Sequence, residues 1–240
     1  MSSPDTPSIK RITALRDLFL IIATLIVSKT VLLEIEAVWV YAGPISLILT
    51  FIVTTLLLRR SGQGWSAVGL RRPPSFVKLG LWTLVALVFG IVLDTLSQQL
   101  LPQILGIPDE ATRAIDERYQ GRFANLPGNL NVYLMWLALA WIIGGFIEEL
   151  VFRGALISRF EQAFKGLPFA AILGVLVQAV IFGQQHLYYQ GLAGAVATGA
   201  GAVLAGLIYL ACKRNLWALI LSHGLNNTLG LTVLYLGVQP

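Results

Sequence analysis

Residues 145–156 read GFIEELVFRGAL, and they place Glu148, Glu149 and Arg153 inside a stretch that is otherwise apolar enough to cross a membrane. The apolar run on either side continues from about 131 to 157, longer than the ~20 residues that span a bilayer core. A charged side chain at that depth costs several kcal/mol if it meets lipid, about 2.5–3.5 kcal/mol even on insertion scales. The three must face the interior of a helix bundle or a polar cavity. One stretch therefore fixes both an all-helical membrane fold and a candidate site.

The composition of the whole chain agrees. Of 240 residues, 56% are hydrophobic and 12% are charged, where a soluble domain carries roughly 25% charge. Mean hydropathy is +0.76. The expected fold is all-α: a polytopic transmembrane helix bundle of about seven spans with room for an eighth helix, in a single membrane domain over 1–240 whose motif-bearing core covers about 131–236. The spans are expected near 16–35, 38–58, 77–98, 131–157, 168–188, 192–211 and 215–236.

Charge orients the bundle. With the N-terminus in the cytoplasm, the inner segments collect Lys10, Arg11, Arg16, Arg59, Arg60, Arg71, Arg72, Lys78, Arg159, Lys165, Lys213 and Arg214. The outer side has Arg113, Arg118 and Arg122 among Asp109, Glu110, Asp116 and Glu117, so the positive-inside rule selects an inner N-terminus. The same rule accounts for a pI near 9.6 without nucleic acid as a partner. The first apolar run is too long for a signal peptide and lacks a small-residue cleavage site, so it is expected to stay as a helix. Segment 61–76, with Trp65 and Leu70 beside Arg71 and Arg72, is expected along the inner interface. The loop at about 99–130 is expected to be partly ordered because Leu105, Ile107 and Leu126 interrupt its polarity. Gly194, Gly199, Gly201 and Gly206 in span 6 are expected to allow close helix contact.

Spacing sorts the intramembrane polar residues. Glu149 and Arg153, at i,i+4, can pair on one helix face. Glu148 is turned about 100° from Glu149 in an α-helix and is left for another task. His223 and Asn227, also i,i+4, offer an imidazole and a carboxamide together, whereas Asn226 points elsewhere. His186 is the only other histidine. A carboxylate and an imidazole can share the deprotonation of water. A second imidazole and an amide N–H suit an oxyanion. Ser222 does not share a face with His223, and Cys212, the single cysteine, lies at the membrane border, so water is the expected nucleophile.

Counting helical rise from the expected inner ends puts His186 about 27 Å deep and His223 about 12 Å deep. Simple boundaries do not bring the two together; span 5 must begin in the cytoplasm or tilt, or its boundary near 168 is wrong.

Glu148 and Glu149 followed after three residues by Arg153 resemble the EExxxR motif of the CPBP intramembrane proteases, the group that includes CAAX prenyl endopeptidases and bacteriocin-processing enzymes. FGQQH supplies Phe182 and His186 as FxxxH, and HGLNN supplies His223 and Asn227 as HxxxN, in family order. WSAVGLRRP, before span 3, resembles the family's pre-helix element. The resemblance implies an endopeptidase in which Glu148 and His186 activate water, His223 and Asn227 stabilise the oxyanion, and Glu149, Arg153 and Phe182 support them. Its partners would be the lipid bilayer and a membrane-associated or lipidated peptide substrate, in an integral protein of a bacterial plasma membrane. No cofactor is favoured; zinc is the alternative, with Glu148, His186 and His223 as its ligands. Two other functions fit the same residues: a non-catalytic scaffold or bacteriocin-immunity protein on this fold and, with less support, a transporter component.

Overall fold

The structure is a computed structural model that describes residues 10–238, and among these the chain forms helices and turns with no strand. The chain runs through α1 (Arg11–Leu33), a 3₁₀ turn (Glu36–Tyr41), α2 (Ala42–Arg60), α3 (Phe76–Ile104), α4 (Asp109–Arg122) and α5 (Leu130–Ala163). The helical stretch Ala170–Ala211 is broken at Gly191 into α6 (residues 170–190) and α7 (residues 192–211), and α8 (Trp217–Tyr235) completes the bundle.

Four stretches are long and apolar enough to cross a membrane: Glu36–Arg60, Phe76–Ile104, Leu130–Ala163 and Ala170–Ala211. α1 and α8 have comparable length, at 23 and 19 residues, but carry Asp17 and Lys29, or His223, Asn226 and Asn227. Leu81, Leu84, Val88, Phe89, Val92 and Leu96 of α3 are exposed, as an apolar surface facing lipid requires. The protein is an integral membrane helix bundle.

Local signals set the helix boundaries. Pro73 and Pro74 precede Ser75, whose hydroxyl accepts from the Lys78 N–H and starts α3. Asn129 does the same for α5 through Val132 N–H. Gly191, at φ 65° and ψ −170°, adopts a backbone open to glycine and turns the chain back on itself. The two arms are antiparallel: Gln178 Nε2 donates to Ala202 O at 2.9 Å, Gly183 lies against Gly199, and Gly206 against Val175. These pairs all centre on residues 190–191. Gly199 and Gly206 thus make the expected close contacts, whereas Gly201 faces open space and makes none.

α5 and α8 are also antiparallel and approach closely at two glycines. A Cβ on Gly145 would lie 3.2 Å from the Gly224 backbone. Trp141 Nε1 donates to Thr228 Oγ1 and Tyr133 pairs with Thr232, each at 3.0 Å, extending the contact outward.

At the basic end, Arg159 is 1% exposed, not in a loop: it lies in α5 and donates to Asp17 of α1 at 3.1 Å and to Gln63 at 2.8 Å. Segment 61–72 packs into the bundle base. Trp65 stacks on Phe51, Val68 is buried, Tyr209 donates to Val68 O, and Gly69 O accepts from Leu216 N–H. At the opposite end α4 orders part of the expected loop, with Ile115 against Gly191 and Leu126 fully buried.

Candidate functional site

The middle of α5 is wider than an α-helix. From Ala140 to Leu156 its backbone bonds run i→i+5, flanked by α-helix at Leu130–Leu139 and Ile157–Ala163. Such segments concentrate at functional sites, and a wider coil turns less per residue than an α-helix. Glu148 and Glu149 therefore diverge less than expected, and both approach one partner on α8. His223 Nδ1 lies 2.8 Å from Glu149 Oε1, and His223 Nε2 lies 3.8 Å from Glu148 Oε2. Glu148 is not turned away from this cluster. It is its more accessible carboxylate, 13% exposed where Glu149 is 2% exposed.

Glu149 Oε1 also accepts from Arg153 Nη1 at 3.0 Å, as the i,i+4 spacing predicts. Arg153 Cζ lies 4.5 Å from the centre of the Phe182 ring, and Phe182 packs edge-on against Phe152. Phe182 is thus a cation–π lid on the arginine. Glu149 Oε2 and Arg153 Nε have no hydrogen-bond partner in this otherwise paired cluster.

His186, on α6, is half-buried and its Nδ1 lies 2.8 Å from Phe182 O. A carbonyl only accepts, so Nδ1 carries the hydrogen and Nε2 of the neutral ring presents a lone pair. No hydrogen bond or ion pair joins His186 to either glutamate among the described residues. It lies one turn beyond Phe182, which packs on Phe152 and Arg153 of α5, as Gly174 does farther along on Ile157 and Phe160.

The depth conflict has its resolution in α8. Span 5 begins at Ala170, close to the expected boundary, but α8 begins high in the bundle. Leu216 packs at Gly154, nine residues before α5 ends at Ala163, or about 13 Å by helical rise. Segment 65–70 fills the space beneath, so His223 reaches Glu149 only two turns into its helix.

Asn227 lies one turn beyond His223, its Nδ2 3.5 Å from Ala140 O, a long contact that leaves the amide available. Between the two residues sits Gly144, which the sequence reading did not single out. A Cβ there would lie 2.7 Å from Asn227 Nδ2 and 3.7 Å from His223 Nε2. Asn227 Nδ2 thus comes closer to this position than any side chain but glycine allows, with His223 Nε2 beside it; the Gly144–Gly145 pair just before the glutamates was the available signal. Cys212, beyond the end of α7, is half-buried, and burial pushes its thiol up to about 11, unsuited to nucleophilic attack.

The donors expected for zinc do not converge. Among the described residues no three His, Cys, Asp or Glu side chains gather as a metal's ligands.

An apolar helix bundle that encloses two carboxylates, a guanidinium and an imidazole in mutual contact defines a membrane protein with an ionisable interior site. Residues 130–229, which carry all three motifs, match the family model described as type II CAAX prenyl endopeptidase Rce1-like. This match, over the motif-bearing part of the chain, supports the resemblance to the CPBP family of CAAX-type intramembrane proteases. No curated protein and no solved structure gives a match.

Proposed function

We propose that this protein is an intramembrane endopeptidase that hydrolyses a peptide bond of a membrane-associated or lipidated substrate, with water as the nucleophile and without a metal. Glu148 and the bare Nε2 of His186 take the proton of the attacking water. As the water oxygen bonds to the carbonyl carbon, the oxyanion lies over Gly144 and accepts from Asn227 Nδ2 and from His223 Nε2–H in its doubly protonated form. The C–N bond then breaks, and the proton held by Glu148 passes to the leaving amine. Glu149 orients His223 and Arg153 holds Glu149. The observation that carries this reading is the approach of Asn227 Nδ2 and His223 Nε2 to Gly144, beside the accessible carboxylate Glu148.

The same proposal has the chain crossing the plasma membrane of a bacterium seven times, through α1–α3 and α5–α8, with its N-terminus in the cytoplasm. α6 and α7 are each about 30 Å long by helical rise, enough for one crossing apiece. Arg71, Lys213 and Arg214 meet at one end, where Arg71 Nη2 donates to Lys213 O at 2.6 Å and Arg214 pairs with Glu161, as the positive-inside rule asks of the cytoplasmic side.

The test compares wild type with Glu148→Gln, purified in nanodiscs and stripped of metal, on a membrane-peptide library read by mass spectrometry. Cleavage by metal-free wild type and none by the variant is expected. Equal cleavage by the two removes Glu148 from the mechanism, and cleavage only after zinc is restored removes the metal-independent step.

A further inference from the structure

Lys29 sits four residues before the last residue of α1, is 7% exposed, and lies outside the segment that matches the protease family. Its ammonium donates to Gln185 O, the residue before His186, and stands 4.4 Å from the centre of the Tyr188 ring. Both contacts are with neutral groups, and a buried ammonium in a membrane bundle is retained where its charge has a partner. Among the described residues no carboxylate lies within ion-pair distance of it.

The charges of the site show what that partner is. Glu149 takes Arg153 and His223 Nδ1 on a single oxygen, which leaves Glu148 with His223 Nε2 at 3.8 Å and with the charge of Arg153 acting on it without an ion pair between them. Lys29 is within electrostatic reach of Glu148, and the attraction is mutual; Arg122 of α4 is the nearby cation that opposes it. Gln185 lies one turn beyond Phe182, which packs on Arg153, so its carbonyl holds Lys29 close to the α5 motif.

We propose that Lys29 is a positioning residue of this site: held by the Gln185 carbonyl and the Tyr188 ring, it supplies the positive charge that fixes the Glu148 carboxylate toward the substrate, and so makes α1 a wall of the active centre. This rests on the endopeptidase reading above. Replacing the ammonium lets Glu148 relax toward His223 and misplaces the base, which is a defect in turnover and not in substrate affinity.

Two measurements test it. In a thermal-melt cycle in detergent, Lys29→Met and Glu148→Gln each leave a buried charge unmatched and lower the midpoint. The double variant is expected to lose clearly less than the sum of the two, because it removes both charges together. Additive losses overturn the pairing. This cycle needs no cleavage, so it stands if the endopeptidase reading fails. In the peptide-cleavage assay, Lys29→Met is expected to lower kcat by about tenfold or more with KM changed by less than about twofold, and Lys29→Arg to recover most of the loss. A change in KM alone, or no rescue by Arg, makes Lys29 a substrate contact or a packing group and overturns the positioning role.

Discussion

Glu149 Oε1 is shared by two partners on two helices, Arg153 Nη1 at 3.0 Å one turn along α5 and His223 Nδ1 at 2.8 Å across on α8. The shared oxygen ties the α5–α8 interface to the orientation of the imidazole. Removing Arg153 leaves a carboxylate that is 2% exposed without its cation and takes the support from Phe182. Arg153→Ala is expected to destabilise by about 3–5 kcal/mol, and Glu149→Gln in the same chain to restore part of it. A melting midpoint equal to wild type in detergent contradicts the buried pair.

Asn227 makes one long contact, to Ala140 O, so its loss disturbs little else. Asn227→Ala is expected to lower turnover on the order of 10² with a melting midpoint close to wild type. Unchanged kcat on a cleaved peptide removes it from the oxyanion site.

Gly144→Ala introduces a methyl 2.7 Å from Asn227 Nδ2, in the space assigned to the oxyanion. The expected outcome is a large loss of turnover. Gly144→Ala combined with Asn227→Ala relieves the clash and recovers the melting midpoint but not the activity. Recovered activity in the double variant removes both Asn227 and the position over Gly144 from the oxyanion site.

The α6–α7 hairpin gives a contrast between two glycines. A Cβ at Gly183 meets the Ala195 carbonyl and the Gly199 backbone, whereas one at Gly201 meets nothing within 4 Å. Gly183→Ala is expected to destabilise by about 1–3 kcal/mol by overpacking, and Gly201→Ala to be tolerated. Equal melting midpoints for the two variants exclude the antiparallel packing described.

Asp17→Asn breaks the buried link between α1 and α5, leaving Arg159 with Gln63 and Gln162 as neutral partners. A loss of about 3–5 kcal/mol is expected, read as a lower midpoint in the same melt. A midpoint unchanged from wild type shows that Gln63 and Gln162 are sufficient for the guanidinium.

Much of the bundle was legible from local pattern. The apolar runs near 168–188 and 192–211 correspond to α6 and α7, because a bilayer-length helix needs only a continuous apolar stretch with polar breaks at its ends. Gly191 could be read as a break but not as a reversal, since the same residue also fits a bent continuous helix. The Glu149–Arg153 pair was legible because i,i+4 neighbours meet whatever surrounds the helix. The contact of Glu148 with His223 was not, because it depends on a widened helix that brings the two glutamates closer together in angle.

The sequence by itself determined that the chain is a helical membrane protein and which polar side chains cannot face lipid, because both follow from transfer energies that each residue carries wherever it packs. Only the tertiary structure decided which of those side chains meet. The start of α8 above segment 65–70 sets the depth of His223, the packing of Phe182 on Phe152 and Arg153 sets α6 against the motif, and the hook on Gln185 brings Lys29 from α1. Each is a relation between distant helices, fixed by close packing at glycines and by pairing of buried polar groups.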